Sequence, residues 1–180
     1  MKKTALLLAF IIPVFLVAQE TPLNRIFSKY VEDPGFSTTE IKTSEVSFEW
    51  EQDDNTEHIR KVLSDIESIR IINLDEESPE GKVSAEKFHQ KIMKAIEKAD
   101  YVDVITVRDD GESINLYFLE KGDKLREVAL VVREKEDVSL ITITGDIDPE
   151  MIMRKETLKG LGSLRNFYVD NEDTKIEINN

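Results

Sequence analysis

The first apolar pattern with helical spacing begins about twenty residues into the chain. Thr21 can cap the free amides of a helix N-terminus, and Pro22 suits the first helical position. The apolar residues that follow recur every three or four positions: Leu23, Ile26, Phe27 and Tyr30. The turn-forming sequence Asp-Pro-Gly at residues 33–35 ends the pattern. We therefore predict a first helix that begins at Pro22 and stops before residue 33.

Two further stretches carry helical apolar stripes. The first stripe follows a group of acidic residues, which favour a helix N-terminus, and consists of Ile59, Val62, Leu63 and Ile66. The second follows Ser84, a good N-cap residue, and covers residues 85–99. One face of that helix carries Phe88, Ile92, Ala95 and Ala99, and Met93 and Ile96 broaden it. Both stretches are predicted to be helices.

Between the helices the pattern changes to a period of two. Val46, Phe48 and Trp50 alternate with polar residues, so residues 36–52 are predicted to be extended, with a helix over the same residues as the alternative. A short strand is predicted over residues 68–74. The charged residues 75–82, which include Pro and Gly, are predicted to be a solvated loop.

From Tyr101 onward the sequence predicts a four-strand β-meander. The strands cover residues 101–107, 113–120, 125–132 and 138–144, and their links are residues 109–111, 121–123 and 133–137. Such short links indicate antiparallel neighbours. Gly145 then leads to Asp148 and Pro149, which suit the cap and first position of a last helix that ends at residues 160–162.

Apolar side chains occupy both faces of the predicted meander, whereas a sheet with one wet face alternates cleanly. Counting alternate positions places these residues on one face: Ile114, Leu116, Phe118, Val128, Leu130, Val132, Val138 and Leu140. The other face then carries Tyr117, Leu119, Ala129, Val131, Ile141 and Ile143. Either helices, N-terminal segments or the tail cover the second face, or it forms a homodimer or ligand surface.

The N-terminal segment has the pattern of a signal peptide. Lys2 and Lys3 precede an apolar run of 13 residues, Ala5 to Val17, which is shorter than the ~20 residues that span a bilayer. Cleavage is expected near Ala18 or Gln19, with an uncleaved anchor as the alternative. The predicted organisation is a signal peptide over residues 1–19, a single domain over 20–162 and a polar tail over 163–180. The mature protein is then periplasmic or secreted, without a transmembrane segment.

Charge and cysteine content narrow the class of protein. The 180-residue chain has 24 Lys and Arg against 37 Asp and Glu, a net charge of −13, and loss of Lys2 and Lys3 makes it −15 (22 basic against 37 acidic side chains). Such a surface repels phosphate backbones and anionic headgroups, so nucleic acid is not an expected partner. The chain has no cysteine, which excludes a lipoprotein anchor, disulfides and thiolate sites.

No pattern assigns chemistry to particular residues. His58 and His89 lie on predicted helices and favour packing or surface roles over catalysis or metal binding. Acidic clusters at residues 53–54, 75–77, 109–110, 146–148 and 170–173 lack the EF-hand pattern and suit turns and helix starts. Trp50 could stack on a sugar, although its strand favours a core position. We therefore assign no catalytic, cofactor-binding or metal-ligating residue and no cofactor.

Residues 101–152, in which Gly-Asp-Ile-Asp at 145–148 follows the meander and precedes a helix, resemble the exported Bacteroidetes family called domain of unknown function four-two-five-two. The same family shows a signal peptide, a helix of the form NRIFSKYVEDPGF, a strand of the form IRIINLD and a helix near EKFHQKI. The resemblance covers Leu23 to Leu158, with residues 46–56 unusually acidic. It implies no known activity. Because genes of this family often neighbour those of extracytoplasmic-function sigma factors, the resemblance also implies an accessory role in envelope signalling.

These patterns together predict an α+β fold, a mostly antiparallel sheet of five or six strands packed with three to four helices. The predicted function is a non-enzymatic binding or regulatory module of the bacterial cell envelope, with an envelope protein or a second copy of the chain as its partner through the meander sheet. Two alternatives stay open. One is an envelope glycan hydrolase that uses paired carboxylates, and the other is a carrier of an apolar ligand.

Overall fold

A six-stranded antiparallel sheet forms the centre of the protein. The structure is a computed structural model that describes residues 20–45, 64–75, 83–109, 111–154 and 157. The strands are β1 Phe36–Lys42, β2 Ile66–Asp75, β3 Tyr101–Asp109, β4 Glu112–Lys121, β5 Lys124–Glu134 and β6 Asp137–Ile147. Their order across the sheet is β1-β2-β6-β5-β4-β3. The predicted α+β class is confirmed, and the predicted meander forms four of the six strands.

Two helices pack on one face of the sheet, which we call the helix face. They are α1, Pro22–Tyr30, and α2, Ala85–Glu97. Thr21 and Ser84 are their N-caps, each accepting a hydrogen bond from a backbone amide three residues later, as predicted. Every apolar residue of the predicted α1 stripe is buried. Tyr30, Phe36 and Phe88 stack on one another with ring centroids 4.4–5.5 Å apart and join α1, α2 and β1 in one core.

The opposite face, which we call the outer face, carries a second apolar core. Leu116 and Ile141 are 2 % and 1 % exposed there, and Ile152 of the short helix α3, Pro149–Ile152, belongs to the same core. The central strands are therefore buried on both faces within one chain, which explains their two-sided apolar sequence. Within the described residues the helices number three.

The predicted division of the meander between two faces is wrong for β6. The β5–β6 turn pairs Glu134 with Asp137, so Leu130 lies opposite Ile141 and Val131 opposite Leu140. Opposed residues share a face, and the two-residue turn therefore places Val138 and Leu140 on the helix face and Ile141 and Ile143 on the outer face. A one-residue difference in link length reverses the side on which every residue of a strand lies.

Two local predictions are also corrected. Ile66, expected on a helix, begins β2 because its backbone joins the sheet beside Gly145. Residues 43–45, expected to be extended, form a 3-10 turn in which Thr43 donates a hydrogen bond to the Ile66 carbonyl. The last helical segment begins at Pro149 with Asp148 as its cap, as predicted, and covers Pro149–Ile152.

Several predictions concern parts of the chain outside the described residues. They are the signal peptide 1–19, the alternating residues Val46, Phe48 and Trp50, the stripe Ile59–Leu63 with His58, the loop 76–82, the helix end at 160–162 and the tail 163–180. No helix in the described ranges is long and apolar enough to cross a membrane.

Candidate functional site at the free edge of the sheet

The two edge strands of the described sheet differ in what they expose. The edge strand β1 exposes polar side chains, among them Ser37, Glu40 and Lys42. The edge strand β3 instead exposes Val102 (49 %) and Val107 (50 %), and its neighbour β4 exposes Ile114 (37 %). Edge strands normally carry charges that block pairing with another chain. An exposed apolar edge is therefore a candidate binding surface.

A bulge in β3 concentrates apolar side chains on the outer face. The pairing with β4 shifts between Asp103 and Ile105, which leaves Val104 as the extra residue. Val104 and Ile105 both pack, half-buried, against the outer core. Val107 lies directly opposite Ile114 on the same face. We call the row Val102, Ile105, Val107 and Ile114 the apolar strip.

The helix-face side of the same edge is polar. Asn115 donates a hydrogen bond to the Thr106 hydroxyl (2.8 Å), and that hydroxyl donates to the Asp103 carboxylate (3.0 Å). Arg108 is exposed further along the same side of β3. Burial, and secondarily the charge of Asp103, raise the pKa of the neighbouring Tyr117. The edge thus presents one apolar side and one side with charges of both signs.

The first residue of β3 is tied to the protein interior by a buried carboxylate. Tyr101 donates a hydrogen bond to Glu127 Oε2. The Thr21 hydroxyl donates to Glu127 Oε1 at 3.0 Å and accepts from the backbone amide of Asn24 at 3.2 Å. Glu127 is 0 % exposed and lies on the helix face of β5. We call these four residues the Glu127 cluster, which joins the edge strand, the centre of the sheet and the N-terminus of α1.

The Glu127 carboxyl can change charge near neutral pH. Burial raises its pKa to about 7, although hydrogen bonds from Tyr101 and Thr21 oppose that change. The Tyr101 pKa also rises, chiefly because burial and the neighbouring Glu127 charge disfavour the phenolate. The chemistry available at this point is proton uptake and release inside the fold. Direct attack on a substrate is excluded because the carboxyl has no exposed surface.

More polar contacts continue from this cluster under α1. The Thr142 hydroxyl donates to the Asn24 side chain at 3.2 Å, and the hydroxyls of Ser68 and Thr144 are 2.8 Å apart. These buried groups follow β2 and β6 beside Glu127, since Thr144 is paired with both Ser68 and Glu127. The helix face is therefore polar under the start of α1 and apolar under the rest of the helices.

The residues considered from sequence for chemistry are dispersed in the structure. His89 lies half-buried on α2, where burial, more than the nearby Arg133, lowers its pKa. Asp148 caps α3 by accepting from the Glu150 amide at 3.0 Å. Among the described residues, no group of three or more His, Asp or Glu side chains is placed to hold a metal ion.

Sequence reasoning missed Glu127, although a signal was present. Glu127 has the same strand parity as Ala129 and Val131, which the sequence placed on the second apolar face of the meander. A glutamate at a position of such a face requires buried hydrogen-bond donors. The donors come from residues 106 and 26 positions away in the chain, and no local pattern predicts that contact.

The fold and this site define a small antiparallel α+β protein with an exposed apolar sheet edge tied to a buried carboxyl. The chain belongs to the family named domain of unknown function (DUF4252), whose family model matches residues 30–154. The resemblance noted from the sequence is thereby confirmed. The match includes β3 and Glu127 but not Thr21 or Asn24. No curated protein sequence matches the chain.

Proposed function

We propose that the protein is a non-enzymatic binding module exported to the bacterial cell envelope, and that its protein partner adds a strand at β3. The observation that carries the proposal is the exposed apolar edge, with Val102 and Val107 each about half exposed. Backbone hydrogen bonds along a free edge supply affinity, and side-chain pockets or strips supply selectivity. A strand with apolar residues on one face fits this edge.

Export is supported by the sequence of the first residues. Two lysines and a 13-residue apolar run have the length and charge order of a signal peptide. Cell fractionation tests this part: we expect the protein in the osmotic-shock fraction, with an N-terminus at Gln19 or Glu20. A full-length chain retained with the membrane would contradict it.

The binding surface is tested by site-specific photo-cross-linking in the source cells. A photoreactive amino acid at Val107 is expected to give a discrete protein adduct. The matched control places the same amino acid at Ser37, an exposed position of the other edge strand, where no adduct is expected. The adduct at position 107 should be lost when Val102 and Ile114 are both replaced by Lys, since both contribute to the apolar strip. Adducts of equal yield at both edges, or none at position 107, would refute the proposed surface.

A further inference from the structure

We infer that the partner at β3 is a second copy of this chain, paired antiparallel to the first. This inference rests on the proposed binding function of the edge and names its partner. It depends on the two faces of β3, on the placement of its charges, and on the contrast with β1. The faces and the charges of β3 are self-complementary under a twofold rotation, and β1 lacks both properties.

A twofold axis perpendicular to the sheet would place the outer faces of two copies side by side. The apolar strip of one copy would then continue into that of the other. In a register centred on Thr106, Ile105 of each copy lies opposite Val107 of the other. Both side chains belong to the outer face, so the pairing removes apolar surface from water on that face.

The charges on the helix-face side complement one another in the same arrangement. Asp103 and Arg108 lie on that side toward opposite ends of β3. Antiparallel pairing reverses one copy, so Arg108 of each copy meets Asp103 of the other. The bulge at Val104 supplies the one-residue offset that brings them opposite each other. A register shifted by two residues keeps the same faces together and makes them diagonal neighbours, which is still within the reach of arginine.

These charges have few competing partners within one copy. In the described part of the chain, no carboxylate lies within ion-pair distance of Arg108. Asp103 accepts a hydrogen bond only from the neutral hydroxyl of Thr106 in the same ranges. The strand also has two acids and one base, so it carries little of the net charge of −13. Two acidic molecules can therefore approach at this edge.

The other edge strand does not share these properties. The exposed residues of β1 are polar, and Glu40 is already paired with Arg70 at 2.7 Å. Self-pairing of β1 would bury no apolar strip and would compete with an existing ion pair. The inference is therefore specific to β3.

Charge exchange tests the inference on the exported protein purified from the periplasmic fraction. Sedimentation velocity is measured at 0.15 M salt, where the Debye length of about 8 Å screens repulsion between distant charges. The wild type is expected to dimerise. Asp103→Arg and Arg108→Asp should each weaken association roughly tenfold or more, because each homodimer would then hold two like-charged contacts.

The decisive sample is an equimolar mixture of the two single variants. Every contact in the mixed dimer pairs Arg with Asp, so the mixture should dimerise while each variant alone does not. Dimerisation in the mixture also shows that both variants are folded. The double variant, which carries both exchanges, should regain wild-type association. A variant that changes no charge, Val107→Ser, should also weaken association, without altering the circular dichroism spectrum.

The outcomes separate this inference from the proposed function. A wild type that stays monomeric at submillimolar concentration, or single variants that associate as strongly as the wild type, would overturn the self-pairing. If the adduct at Val107 then contains a different protein, the proposed function stands and only the identity of the partner is refuted. If no adduct forms at all, both are refuted.

Discussion

Glu127 is the residue at which burial and charge oppose each other most directly. Its side chain is fully enclosed, and its two oxygens accept hydrogen bonds from Thr21 and Tyr101. These bonds favour the ionised carboxylate, but burial outweighs them, so the pKa rises to about 7. The cost of burying this group therefore depends on pH near neutrality.

The pH dependence of stability tests the state of Glu127. The carboxyl binds its proton more tightly in the folded chain (pKa about 7) than at its ordinary value of 4.5. Raising the pH from 4.5 to about 7 therefore deprotonates this group in the unfolded chain only, and its contribution to the free energy of unfolding falls across that interval. At about 1.4 kcal/mol for each pH unit, the fall amounts to roughly 3 kcal/mol.

The variant Glu127→Gln cannot titrate and should lack this part of the pH dependence. We expect the difference in free energy of unfolding, wild type minus variant, to decrease from pH 4.5 to pH 7 and to be constant above about pH 7.5. Urea unfolding at a series of pH values measures it, and the subtraction removes the shared titration of the other carboxylates. A difference that does not change with pH would mean that Glu127 ionises normally in the folded protein.

At the scale of the element, the start of α1 shows how a helix cap and a buried site can share one side chain. Thr21 and Ser84 both cap helices, and both were predicted to do so from sequence. Thr21 also donates to Glu127, whereas within the described residues the Ser84 hydroxyl makes only the cap contact, at 3.4 Å. The residue pattern could predict the cap, but the second contact depends on which strand lies beneath the helix.

Replacing each cap by alanine compares the two roles. Ser84→Ala should destabilise the protein by about 1 kcal/mol, the ordinary cost of a lost N-cap. Thr21→Ala should cost roughly 2–4 kcal/mol, because it also leaves an oxygen of a buried carboxyl without its donor. Thermal unfolding at pH 8 measures both changes. Equal losses for the two variants would mean that the contact between Thr21 and Glu127 contributes nothing.

Gly145 lies inside β6, which extends further along the chain than the sequence predicted. The sequence predicted a strand to residue 144 and placed Gly145 in the approach to the last helix, but β6 continues to Ile147. A Cβ at position 145 would lie 2.0 Å from the Asp65 carbonyl oxygen. Here glycine serves close backbone packing, a use that local pattern does not distinguish from a turn.

The variant Gly145→Ala should therefore be strongly destabilised, by roughly 3 kcal/mol or more, because two backbones must separate. Gly111→Ala is the matched control. A Cβ at that turn meets nothing within 4 Å, and only its positive φ of 89° is unfavourable, at a cost of about 1–2 kcal/mol. Urea unfolding compares them. A smaller loss for Gly145→Ala than for the control would contradict the close approach of Asp65.

At the scale of the whole molecule, periodicity predicted the class of fold, the four meander strands, the strand over residues 68–74, the extended residues 36–42 and the two main helices. It predicted these because each depends on neighbours in sequence: alternation, caps and turn glycines. The faces of β6, the start of β2 at Ile66 and the Glu127 cluster depend on register and on contacts between distant residues. The apolar edge at β3 was predictable only in part. Its valines can be read from the sequence, but their exposure follows from the order of the strands.

The balance of charge over the whole chain leads to a final prediction about salt. The net charge of −13 disfavours the compact state through repulsion among the acids. The ion pairs in the described ranges, such as Arg133–Glu86 and Lys42–Glu45, lie at the surface, where solvent weakens the attraction within each pair. Screening by salt should therefore weaken the repulsion among the acids more than it weakens the attraction within these ion pairs. We expect the Tm, followed by circular dichroism at pH 7.5, to rise between about 10 mM and 200 mM NaCl. A fall in Tm over this range would show that the surface ion pairs outweigh the repulsion among the acids. Sucrose at the same osmolarity as the NaCl serves as the uncharged control.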